Sequence, residues 1–112
     1  MKKGIYVSYD LSVEGDYSSL FKWLDENNAK ECGEGLAFLN INLTSLDILD
    51  ELKTKIKEAN FKPKKNDRIY IIYRDLKDRT IKGDFIFGNR KRAPWEGFHL
   101  SDQIKSDSDI IE

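Results

Sequence analysis

Four short runs of β-branched and aromatic residues alternate with two stretches whose apolar residues recur every three to four positions, and this order is the strongest constraint on the fold. Gly4-Ile5-Tyr6-Val7-Ser8-Tyr9-Asp10 predicts a first strand. After a loop at Val13–Asp16, Tyr17, Leu20, Phe21 and Leu24 predict a helix over about residues 17 to 28, with Asp16 as its N-cap. Leu36–Leu43 predicts a second strand with Leu39, Ile41 and Leu43 on one face and Asn40 and Asn42 on the other. Thr44-Ser45-Leu46-Asp47 fits a capping box with Thr44 as cap, and Leu43 and Ile48 stand where a hydrophobic staple would form. The second helix then carries Ile48, Leu49, Leu52, Ile56 and Ala59 on one face. Its lysines gather on the other face and in the C-terminal half, where the helix dipole favours them. Pro63 stops it. Asp67–Arg74 is the clearest strand, and Ile81–Phe87 is a fourth, with Gly83 expected to mark a bulge or a turn.

Strand, helix, strand, helix, strand, strand is an order with few solutions. Right-handed crossovers put both helices on one face of a sheet that contains antiparallel pairs. The expected class is therefore α+β, a ferredoxin-like sandwich. A small parallel α/β sheet would need helices on both faces, and two helices are few for that. The length of 112 residues suits one domain, read as residues 1–98 followed by a polar tail at 99–112.

Composition removes several chemistries. Cys32 is the one cysteine and His99 the one histidine, so intramolecular disulfides, multi-thiolate zinc and multi-histidine metal sites are excluded. A Ser-His-Asp centre on a lone histidine is not expected, and Cys32 has neither a neighbouring base nor a second thiol. No P-loop, dinucleotide fingerprint or EF-hand is present. The apolar run behind Met1-Lys2-Lys3 breaks at Ser8 and Asp10, too early for a signal sequence, and no run approaches the ~20 residues of a membrane helix. A cytoplasmic location without membrane contact is the expectation.

Nineteen basic against twenty acidic residues give a net charge of −1, so no overall pull toward nucleic acid follows. The distribution is uneven. Lys53 to Arg68 is strongly basic and includes Lys62, Lys64 and Lys65, which suit either phosphate contacts or a solvated surface. Arg90-Lys91-Arg92 stands close to Trp95 and combines cations with a stacking surface for single-stranded nucleic acid, or else forms a charged loop that blunts a sheet edge. Tyr6, Tyr70, Tyr73, Phe85, Phe87 and Trp95 are candidates for an aromatic sheet surface, with core packing as the alternative. Asp10, Asp16, Asp75 and Asp84 are carboxylates that sequence alone cannot bring together.

Ser8-Tyr9-Asp10-Leu11 at the end of the first strand, Asp16-Tyr17 opening the helix, Asn66-Asp67-Arg68 opening the third strand and Trp95-Glu96-Gly97-Phe98 near the end form a pattern. Over about residues 4 to 98 it resembles the small ferredoxin-like CRISPR adaptation nucleases, the second CRISPR-associated protein family, and more closely their SinR-family relatives. The segment Asp75–Pro94 is longer than in that pattern, and residues 99–112 have no counterpart in it. The resemblance implies that Asp10 is a catalytic metal ligand for phosphodiester cleavage with Mg²⁺ or Mn²⁺. One carboxylate makes a poor Mg²⁺ site, so the implied enzyme is a homodimer in which two copies of Asp10 share the ion. The expected partners are a second copy of the chain and RNA or DNA. The alternative is a non-catalytic regulator or inhibitor, such as one encoded by a phage or mobile element, that binds a protein partner through its sheet edge.

Overall fold

Residues 1–99 are described by the computed structural model. The elements are β1 (Lys2–Asp10), α1 (Tyr17–Glu26), β2 (Lys30–Glu31), β3 (Leu36–Asn42), α2 (Ile48–Glu58), β4 (Arg68–Arg74) and β5 (Ile81–Phe87). The strands form one sheet in the order β2-β3-β1-β4-β5, and every neighbouring pair is antiparallel. β1 and β2 consequently run in the same direction with β3 between them, and β3 and β4 do so with β1 between them. Two interlocked split β-α-β units result, which is the ferredoxin-like α+β arrangement; β5 extends it as a hairpin partner of β4.

One face of the sheet is the core. Ile5 and Val7 of β1, Ala37, Leu39 and Ile41 of β3, and Ile69 and Ile71 of β4 are buried. Leu20, Trp23 and Leu24 of α1 join the same cluster, as do Leu52 and Ile56 of α2. Each fully buried aliphatic side chain stabilises the fold by about 1.5–3 kcal/mol. Period-two alternation turns Tyr6, Ser8, Phe38, Asn40, Tyr70 and Ile72 to the opposite, open face.

The fold class follows the sequence expectation, but four details differ. Leu36–Asn42 is the third strand, because Lys30–Glu31 pairs with Phe38 and Ala37 and closes the first split unit. Asp16 caps α1 as expected, accepting the Ser19 amide at 3.1 Å. The cap of α2 is Asp47, not Thr44: its carboxylate accepts the Asp50 amide at 3.1 Å. Glu51 instead accepts the amides of Thr44 and Ser45 at 2.9 and 2.7 Å, which satisfies that turn before the helix begins. Leu43 and Ile48 still pack into one core.

The last two details concern the aromatic strands. The bulge of β5 is at Ile86, not Gly83: Tyr70 faces Phe85 and Ile69 faces Phe87, so Ile86 is the additional residue. Phe85 therefore reaches the open face, while Phe87 packs on Phe61 in the core with ring centroids 5.3 Å apart. Gly83 has a different purpose. A Cβ there would lie 2.6–2.8 Å from the Tyr70 ring and hydroxyl, so its bare backbone is the bed on which Tyr70 lies. Tyr73 likewise packs against the helix-side core rather than on the open face. Residues 100–112 of the expected tail lie outside the described residues.

Candidate functional site

The open face gathers four aromatic rings in two pairs. Tyr6 and Phe38 have centroids 5.0 Å apart, and Tyr70 and Phe85 have centroids 4.8 Å apart, near perpendicular. Tyr6 is 42% exposed. Ser8 pairs with Tyr70 while Tyr6 pairs with Ile72, so the two ring pairs are diagonal neighbours across β1 and β4.

Cations frame these rings. The Arg90 guanidinium lies over both Tyr70 and Phe85, at 5.9 and 5.6 Å from their centroids, and Arg68 lies 5.8 Å from Phe85. By register, Lys2, Lys30 and Arg74 belong to the same face. Among strand residues, Asp10 is the one carboxylate on it, and its Oδ2 pairs with Arg68 at 3.2 Å. The remaining acids of the sheet, Glu31 and Asp84, register with Ala37 and Ile71 of the other face. A chain of net charge −1 thus presents a cationic, aromatic sheet surface. Arg68 also holds its Nε buried with no hydrogen-bond partner, a donor that the protein itself leaves unused.

The basic triplet after β5 does not act as one unit. Arg90 folds onto the face, Lys91 is exposed, and Arg92 pairs with Glu96 at 3.4 Å. Trp95 is 73% exposed in the turn that follows. Lys62, Lys64 and Lys65 stand exposed on the loop leading into Arg68. That loop is pinned from below: Asp16 Oδ2 accepts the Lys62 amide at 3.0 Å, and Asp67 Oδ2 accepts the Lys64 amide at 2.7 Å. Bonds from the Ser19 and Lys62 amides hold the Asp16 carboxyl below its ordinary range.

Asp67 is the residue that sequence reasoning passed over. It is 2% exposed, and its other oxygen accepts the Ser12 amide at 2.7 Å and the Ser12 hydroxyl at 3.0 Å. One carboxylate thereby ties the loop after β1 to the loop before β4. Its signals in sequence are its place at the start of a strand, where an exposed aspartate is equally at home, and its position within Asn66-Asp67-Arg68, neither of which marks a clamp.

The metal expectation meets a sparse donor set. Asp10 is exposed, with its side chain 62% accessible, and engaged by a guanidinium. Asp16 caps α1, Asp75 binds Lys82 at 2.7 Å, and Asp84 accepts its neighbour's amide at 2.8 Å. Among the described residues no three His, Cys, Asp or Glu side chains assemble around a point where an ion would sit. Among the described residues a single subunit therefore offers Mg²⁺ fewer than three such side chains, short of the usual hard-oxygen shell without a second copy or phosphate oxygens. Also among the described residues, no helix is long and apolar enough to cross a membrane.

The chain matches no protein-family model, and no curated protein or solved structure is significantly similar to it.

Proposed function

We propose that this protein binds single-stranded nucleic acid on the open face of its sheet, in the cytoplasm. The observation that carries this is the stack of Arg90 over Tyr70 and Phe85, with Tyr6 and Phe38 beside it. Aromatic faces accept bases of any identity, and the surrounding Lys2, Lys30, Arg74 and Arg90 suit a phosphate backbone that tracks across the strands. Stacking needs unpaired bases, so a duplex is a poorer ligand.

Fluorescence anisotropy with labelled single-stranded RNA, single-stranded DNA and duplexes tests this. Two to four phosphate contacts give log K a slope of roughly −1.4 to −3 against log salt for single strands. Salt-independent binding, or equal affinity for a duplex, removes the proposal. If no nucleic acid binds, a protein-binding regulator becomes the better account, with the exposed β5 edge at Ile81–Asp84 as its surface.

A second role rests on Asp10, which stands exposed at the end of the same face. In a homodimer that apposes two copies, their carboxylates would hold Mg²⁺ or Mn²⁺ together, and the ion would polarise a bound phosphodiester. Metal-dependent cleavage lost in Asp10→Ala, with a sedimentation mass twice 13.1 kDa, supports it. A 13.1 kDa monomer that still binds oligonucleotides leaves the binding role alone.

A further inference from the structure

We propose that the cleft between α1 and the β2–β3 hairpin binds a methylated ammonium group. The cleft has a volume of about 640 Å³, and it is walled by Tyr9, Tyr17 and Phe21. Tyr9 stands 6.3 Å from Tyr17 and 5.6 Å from Phe21, centroid to centroid, at 74° and 76°. In such edge-to-face pairs each ring keeps at least one face clear of the other, and a ring face is what attracts a cation within about 6 Å. Phe21 is 47% exposed, an apolar ring left partly open to solvent beside Tyr9 and Tyr17.

The charge of the cleft completes the case. Asp10, Glu31 and Glu34 line it, and no lysine or arginine does. Arg68 already neutralises Asp10, which leaves Glu31 and Glu34 in excess. Glu31 is fixed by the Gly33 amide at 2.9 Å. Tyr17 is oriented by the backbone of Leu11, whose amide it accepts at 3.3 Å. Aromatic faces with carboxylates nearby favour a large, weakly hydrated cation over a metal ion, which would need more oxygen ligands. The group would come from a free choline-like molecule or from a methylated lysine side chain.

Titration of the full chain with choline, with its neutral isostere 3,3-dimethylbutanol, and with N-acetyl-trimethyllysine amide tests this, read by aromatic NMR shifts. Choline is expected to shift Tyr9, Tyr17 and Phe21 saturably, with the isostere at least tenfold weaker. Phe21→Ala is expected to weaken choline roughly three- to thirtyfold. Glu34→Gln, on an exposed turn, is expected to weaken it while the circular dichroism spectrum stays unchanged. Tighter binding of the lysine derivative than of choline assigns the site to a protein side chain, and the reverse order to a free molecule. Equal responses to choline and its isostere, no saturable shift, or wild-type affinity in Phe21→Ala would overturn the proposal.

Discussion

Replacing Asp67 with alanine is expected to destabilise the fold by about 3 kcal/mol, the sum of two stranded amides at roughly 1–2 kcal/mol each. The two donors are the backbone amides of Ser12 and Lys64, each 2.7 Å from the carboxylate. The Ser12 hydroxyl, at 3.0 Å, can turn to water and adds little. The lower part of the range for an unmade buried bond applies because both loops are only part-buried. In a domain of this size such a loss lowers Tm by roughly 12 °C, at about 4 °C per kcal/mol. The Asp67→Asn substitution keeps one acceptor but points its amide hydrogens at the other donor, so about half the loss is expected. Ser12→Ala removes only the hydroxyl bond and is expected to cost less than about 1 kcal/mol. Urea unfolding followed by far-UV circular dichroism measures all three. An Asp67→Ala variant within about 1 kcal/mol of the parent, or Ser12→Ala as damaging as Asp67→Ala, would refute the clamp.

Tyr70→Ala and Phe85→Ala are each expected to weaken single-strand binding about tenfold or more, read by anisotropy, since a base–ring stack is worth roughly 1–3 kcal/mol. Trp95→Ala is expected to change it less than about threefold, because among the described residues Trp95 joins neither ring pair on the open face. Gly83→Ala puts a methyl against the far end of the Tyr70 side chain, so the ring moves, binding falls, and the melting temperature changes little. Gly88→Ala is the contrasting case: at φ +83°, with the Asp67 carbonyl in the way, the melting temperature falls instead. Thr80 and Lys82 hold the Asp78 carboxyl down to about 2, and Lys82 and the Lys77 amide hold Asp75 low. Because both folded values lie below the ordinary 3.8, their contribution is present above that pH and is lost as pH falls toward about 2. The urea midpoint is therefore expected to drop across that window, less steeply in Asp78→Asn.

The long elements were legible because their periodicity was undisturbed. Ile69-Tyr70-Ile71 and Leu39-Asn40-Ile41 alternate cleanly, and Leu20 and Leu24 sit one helical turn apart. Lys30–Glu31 was not legible, since two charged residues carry no pattern and pair only because β3 folds back beside them. The cap of α2 shifted by three residues because Glu51, from within the helix, reaches back to Thr44 and Ser45. At the candidate site, Asp10 and Arg90 were visible as residues, yet Arg68 was not seen as the partner of the first or the neighbour of the second. Their meeting depends on the β1–β4 register and on the bend at Gly88, whose φ is positive. Phe85 and Phe87, two residues apart, divide between the two faces for a reason no single strand contains: an irregularity measured against its neighbour.

That irregularity at Ile86 governs which changes the last strand can tolerate. Substitutions leave its phase intact. With Gly83 kept opposite Ile72, deleting Asp84 would restore strict alternation against β4 and place Phe85 and Phe87 both on the helix side. The exposed surface would then lose its second ring, whereas deleting Ile86 itself would leave the two rings on opposite sides. The place of a one-residue gap, before Phe85 or at Ile86, would therefore separate descendants that have given one ring up from those that keep both in place.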